Sequence, residues 1–138
     1  MTKRILVIND TQEILELFSA ILHEEMGFEV VLDSYQPHML DVIKDIRPDL
    51  IISDHVFGEE KIAWQLLQRL KLDRDTAHIP VIICSGAIKD LKEMEGHLTA
   101  QNVGVLYKPF DVDELMALVN RKLKEGADPT LHHGSATT

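Results

Sequence analysis

Five short apolar runs, each separated from the next by a stretch of helical spacing, constrain the fold more than anything else in the chain. Ile5-Leu6-Val7-Ile8, Phe28 to Leu32, Leu50-Ile51-Ile52, Val81-Ile82-Ile83-Cys84 and Val103 to Tyr107 have strand length and β-branched content. Runs that are apolar throughout, rather than at alternate positions, belong to strands buried on both faces. Between them the apolar residues recur at helical period: Ile14, Phe18, Ile21 and Leu22; then Leu40, Ile43 and Ile46; then Ile62, Leu66 and Leu70; then Leu91, Met94 and Leu98; and last Leu115, Val119 and Leu123. This alternation predicts an α/β domain with a five-stranded parallel sheet and helices on both faces. Neither GxGxxG nor GxxxxGK[ST] occurs, so the phosphate loops of the two common nucleotide folds are excluded.

Local signals set the boundaries. Asp10 or Thr11 can cap the first helix, with Glu13 at capping-box spacing from Asp10, and Gly27 suits a left-handed end. Pro37 fits a first helical turn, and Arg47-Pro48 forces the chain out of the second helix. Trp64 is expected to be partly exposed, and Leu72 to His78 reads as a polar loop. Gly96 lies inside the Leu91–Leu98 pattern, where glycine costs about 1 kcal/mol relative to alanine, so that helix is the least secure. Asp111 with Glu114 repeats the capping-box spacing before the last helix. From Gly126 onward periodicity is lost and Pro, Gly, Ser and Thr dominate. The expected organisation is one domain over residues 1–125 and a flexible tail over 126–138.

Composition limits the partners. Lys and Arg number 14 against 23 Asp and Glu, and a net charge of -9 argues against a nucleic-acid or anionic-membrane surface. Proteins and cations are the partners such a surface suits. Lys3 and Arg4 precede only a short apolar run, too short for a signal-peptide core or a membrane span. The single cysteine, Cys84, cannot form an intramolecular disulfide and reads as core packing, so the chain is expected in the cytoplasm. No cysteine cluster accompanies the seven histidines, so zinc is not expected; His132-His133 fall in the tail and His55 in a loop.

The candidate chemistry lies where the strands stop. Pro48-Asp49-Leu50-Ile51-Ile52-Ser53-Asp54 is an apolar run that ends in a carboxylate, and in parallel sheets ligands bind outside the carboxyl ends of the strands. On this run alone Asp54 could equally cap the following turn. The other strands end in Asn9 and Asp10, in Ser85, and in Lys108, all on one edge. Two carboxylates with an amide oxygen form a hard oxygen site of the kind Mg²⁺ favours. A lysine and a hydroxyl can hold an anion attached to a carboxylate. Each residue has a mundane role available, as cap, strand-end hydroxyl or surface ion pair. Four together at successive strand ends suit phosphoryl transfer to a carboxylate nucleophile.

At this point the chain resembles the receiver domains of two-component response regulators, including the single-domain chemotaxis type, over residues 3 to about 125. The resemblance rests on Ile5-Leu6-Val7-Ile8-Asn9-Asp10, Pro48 to Asp54, Ile79-Pro80-Val81-Ile82-Ile83-Cys84-Ser85-Gly86-Ala87 and Tyr107-Lys108-Pro109-Phe110. It implies a flavodoxin-like sheet of order 2-1-3-4-5. It further implies Asp54 as acceptor of phosphate from a histidine kinase or phosphotransfer protein, with Ser85 and Lys108 reading the phosphoryl group. Mg²⁺ would be held by Asp10, Asp54, the main-chain carbonyl of Val56 and, more weakly, Asn9. A cis Lys108-Pro109 bond, a monomer or weak homodimer, and no enzymatic output of its own complete the expectation.

Departures from the family pattern are specific. Asn9 stands where an acid is usual, which removes one negative charge and weakens Mg²⁺ binding. Phe57-Gly58 and Lys61-Ile62 replace the usual Met-Pro and Asp-Gly of the loop after the acceptor. The switching aromatic, three residues before the lysine, is Val105 here, while Tyr107 immediately precedes Lys108. A muted phosphorylation switch is therefore expected. Asn9 and Val105 also admit a pseudo-receiver that binds a protein partner without phosphorylation. A hydrolase with an aspartyl-phosphate intermediate lacks an acid two residues after Asp54, where Val56 stands.

Overall fold

The computed structural model describes residues 2–9, 11–34, 38–54, 60–85 and 103–127, and of residues 54, 60–64, 85 and 125–127 it describes the backbone alone. The five apolar runs form β1 (Arg4–Ile8), β2 (Glu29–Asp33), β3 (Leu50–Asp54), β4 (Val81–Ser85) and β5 (Val103–Tyr107). They pair in one parallel sheet of order β2-β1-β3-β4-β5, the expected flavodoxin-like order. The described helices are α1 (Gln12–Ser19), α2 (Met39–Ile46), α3 (Glu60–Leu72) and α4 (Val112–Ala127).

The strand pattern explains the two cores. Successive side chains on a strand point to opposite faces, so an unbroken apolar run supplies both. On one face Ile5, Val7, Leu50, Ile52, Ile82 and Cys84 pack with Leu15, Phe18 and Leu22 near α1 and with Leu115 and Val119 of α4. On the other Leu6, Ile8, Ile51, Val81 and Ile83 pack with Met39 and Ile43 of α2 and Leu66, Leu67 and Leu70 of α3. Ile5, Leu6, Ile8, Leu50 and Ile82 are completely buried. Each such side chain contributes roughly 1.5–3 kcal/mol, which makes β1 and β3, paired through Ile5–Leu50 to Ile8–Ser53, the rigid centre.

Several boundaries differ from the sequence expectation. Thr11 occupies the N-cap of α1 but makes no side-chain cap bond. Asn9 organises that turn instead, its Oδ1 accepting the Thr11 N–H at 2.8 Å. Such an Asx turn competes directly with hydroxyl capping. After Ser19 the helix widens into a π-helical segment, Ala20–Glu25, which still buries Ile21 and Leu22; apolar spacing carries no signal for it. The segment closes at Gly27 as expected, with φ 76°, the Gly27 N–H donating to His23 O and the Phe28 N–H to Leu22 O, both at 3.0 Å. α2 ends at Arg47, whose φ of 53° is left-handed and whose N–H donates to Ile43 O at 2.9 Å. Pro48 disfavours helix for the residue before it, which explains the stop.

The stretch read as a polar loop is tied down through polar bonds rather than apolar burial. Thr76 is 1% exposed and its Oγ1 donates to Leu70 O at 2.7 Å. Lys44 Nζ reaches Asp73 Oδ2 at 2.7 Å and Asp75 Oδ2 at 4.0 Å. α4 runs to Ala127, two residues into the stretch read as tail. The Lys108-Pro109 bond is cis, as the resemblance implied. The expected Leu91–Leu98 helix, Pro37 and residues 128–138 lie outside the described residues, as does the side chain of Trp64. Among the described residues no helix is long and apolar enough to cross a membrane.

Candidate functional site

Because the strands are parallel and β3 is central, every carboxyl end emerges on one edge with β3 between β1 and β4. Asp54 is the last residue of β3 and is paired with Cys84. Neighbouring strands lie about 4.8 Å apart, so the ends of β1 and β4 are the first neighbours of Asp54 and β5 is the second. Ser85 closes β4 one position beyond the Asp54–Cys84 pair and stands opposite Tyr107. Lys108 follows Tyr107 directly and is half-buried. The backbone thus brings Asp54, Ser85 and Lys108 to the same end of three adjacent strands.

Asn9 follows Ile8, itself the partner of Ser53, so on the β1 side it is level with Asp54. It is 3% exposed, and its main-chain N–H donates to Asp33 O at 3.0 Å. The side-chain oxygen bonded by Thr11 keeps a second lone pair. Asp10 and Val56 lie outside the described residues, as does the Asp54 side chain. Among the described residues no three His, Cys, Asp or Glu side chains gather as a metal site. The donor chemistry that is described fits a hard divalent cation: a buried amide oxygen at the end of β1 beside a strand that ends in an aspartate.

One acidic residue on this edge escaped the sequence reading. Asp33 is the last residue of β2, paired with Ile8, and its Oδ1 accepts the Ser34 N–H at 2.9 Å. It ends its apolar run as Asp54 ends Leu50-Ile51-Ile52, and that parallel was the signal available. Its carbonyl holds the Asn9 amide, so β2 positions the turn that carries the candidate metal ligands. Phe18 and Phe110 pack with ring centroids 6.1 Å apart, which fixes the segment after Lys108 against α1.

Comparison with known proteins agrees with this geometry. The model of the response regulator receiver domain matches residues 5–120. The DNA-binding dual master transcriptional regulator RpaA of Synechocystis sp. is 34% identical over 125 residues, 88% of this chain and 49% of that protein. Sporulation initiation phosphotransferase F of Bacillus subtilis is 25% identical over 127 residues, 89% of this chain and 95% of that protein. The chain spans about half the length of RpaA and of the response regulator Rre1. Among solved structures, the chemotaxis response regulator CheY4 of Vibrio cholerae superposes with a TM-score of 0.70 at 22% identity, covering 88% of this chain and 99% of its own, a likeness of fold. The signal receiver domain of a histidine kinase from Syntrophus aciditrophicus gives a TM-score of 0.72 at 26% identity, covering 89% and 91%.

Proposed function

The chain belongs to the response regulator receiver domain family, and from that premise we propose that Asp54 is its phospho-acceptor. The observation that carries this reading is the position of Asp54 as the last residue of the central strand, between the strand that leads into Asn9 and the one that ends at Ser85. A histidine kinase or a phosphotransfer protein is the donor. The phosphorus–nitrogen bond of its phosphohistidine breaks as an Asp54 oxygen forms a bond to phosphorus, and the imidazole leaves with the electron pair. Ser85 donates a hydrogen bond to the transferred group and Lys108 pairs with its charge. Asp10, Asp54, the Val56 carbonyl and Asn9 are the groups that would hold Mg²⁺, which when bound spreads negative charge on the phosphoryl oxygens. The module passes a signal in the cytoplasm rather than turning over a substrate of its own.

The test is to incubate the full chain with acetyl phosphate and Mg²⁺ and to weigh it intact. The parent gains one phosphate, labile at alkaline pH as an acyl phosphate is, and Asp54→Asn does not. A phosphate of equal lability on Asp54→Asn overturns the assignment of the acceptor. No gain on the folded parent overturns the phospho-acceptor reading as a whole.

A further inference from the structure

The edge that carries Asp54 also holds an acid that phosphoryl transfer does not use directly. Asp33 closes β2, and the register sets it opposite Ile8, which has Ser53 on its other side. Asp33, Ile8 and Ser53 therefore form one row across three strands, a single residue short of Asp54. With neighbouring strands about 4.8 Å apart, the backbone of Asp33 lies about 10 Å from that of Asp54.

Two hydrogen bonds fix Asp33 at this edge. Its carbonyl accepts the Asn9 N–H at 3.0 Å, so the residue that follows β1 is held by the end of β2. Its Oδ1 accepts the Ser34 N–H at 2.9 Å, which keeps the carboxylate beside the first amide beyond the strand. Accepting a main-chain hydrogen bond leaves the carboxylate its charge.

Asn9 makes that charge consequential. It is 3% exposed and reaches the edge with an amide oxygen, so it brings a divalent cation none of the negative charge that an acid in its place would bring. The charge missing from Asn9 is present on the residue bonded to its amide. We propose that Asp33 is a positioning residue for the Mg²⁺ site: its carbonyl sets the Asn9 turn, and its carboxylate attracts the cation through space without ligating it. The proposal rests on the reading of Asp54 as an acceptor that works with Mg²⁺. A unit charge about 10 Å from a divalent ion changes its binding by roughly threefold at low ionic strength, and the effect fades as salt shortens the Debye length.

The experiment is a Mg²⁺ titration of the full chain, followed by backbone amide NMR at low and at high sodium chloride. The parent is expected to show saturable shifts at Asn9 and Asp54. Asp33→Asn keeps the carbonyl and an oxygen for the Ser34 N–H and removes only the charge, so it should fold as the parent does. It should bind Mg²⁺ about threefold more weakly at low salt, with the difference narrowing at high salt. Asp33→Glu restores the charge and should recover most of the affinity. Unchanged affinity in Asp33→Asn, a loss of equal size at high salt, or a loss that Asp33→Glu does not recover would overturn the proposal and leave the acceptor reading intact. A parent with no saturable shift at Asn9 or Asp54 would overturn the metal site itself, and this role of Asp33 with it.

Discussion

Ser85 and Tyr107 stand directly opposite each other on β4 and β5, with Ile83 and Val105 forming the next pair on the same face two positions back. Val105 and Tyr107 both pack at the margin of the core that holds Ile51, Ile83 and Val103. Valine has one stiff torsion and little volume, so Val105 cannot report an inward or outward state. With Val105 unable to serve, the β5 side chain placed to carry coupling from a phosphorylated edge is Tyr107, the larger one level with the hydroxyl residue. The expected outcome is that beryllofluoride, a phosphate mimic, gives amide shifts along residues 103–124 that are modest beside those at Asp54. They should shrink further in Tyr107→Leu and stay unchanged in Val105→Ala. Shifts that persist undiminished in Tyr107→Leu would remove Tyr107 from the path.

Stability should depend on alkaline pH through Lys71. Its Nζ donates to Ile79 O at 3.1 Å and Ala77 O at 3.4 Å. Burial, with a smaller repulsion from Lys122, lowers its pKa to about 8. The unfolded chain holds this proton up to about pH 10.4, so between those values it binds more protons than the native one and stability rises with pH. Below about 8 the cost of holding the buried charge is present in full. Urea midpoints measured across that window should climb in the parent, and the climb should be smaller in Lys71→Met. An equal climb in both would assign it to other groups.

What was legible in the sequence follows from what repeats in it. Strand order and both cores rest on apolar runs such as Leu50-Ile51-Ile52 and on helical stripes such as Leu115 with Val119, and those patterns survive any local rearrangement. The edge constellation was legible because Asn9, Ser85 and Lys108 each follow such a run. The widened turn Ala20–Glu25 and the left-handed His38 and Arg47 were not, since backbone choices of that kind are decided by packing and leave no period. Thr76 and Lys71 were hidden for another reason: polar residues that fold back onto carbonyls read as a solvated loop. Asp33 was overlooked although its position repeats that of Asp54.

Gly104 on β5 is held to glycine by α4, the helix packed over that strand. A Cβ there would lie 2.9 Å from Lys122 Cε and 3.3 Å from Leu118 Cδ1. The nearer contact is the far end of a flexible chain and can move; the leucine is packed in the core beside Val119. Gly104→Ala should therefore lower stability by about 1 kcal/mol, the lower end of overpacking costs. The cost should fall in a Lys122→Ala background, where the tighter contact is gone. A double-mutant cycle by urea denaturation reads the coupling. Additive effects would show that Lys122 yields freely.

The last prediction concerns the one departure that the fold makes accessible to a clean substitution. Asn9 is buried, follows the strand neighbouring Asp54, and spends its Oδ1 on the Thr11 N–H at 2.8 Å. An aspartate can accept the same bond with one carboxylate oxygen, so Asn9→Asp should keep the turn that starts α1. Its second oxygen would carry charge to the edge where Asp10 and Asp54 are expected to hold Mg²⁺. A hard cation that keeps most of its waters gains chiefly from the charge of its few carboxylates, so the variant should bind Mg²⁺ more tightly. Removing Mg²⁺ with a chelator should also lower the variant's unfolding midpoint more than the parent's, because the stabilisation from a ligand grows with the logarithm of its concentration over its dissociation constant. Calorimetric titration of both proteins, with Asp54→Asn as the control that loses a ligand, reads the difference. Equal or weaker binding by Asn9→Asp would mean that the amide at this position serves the Asx turn alone and takes no part in holding the metal.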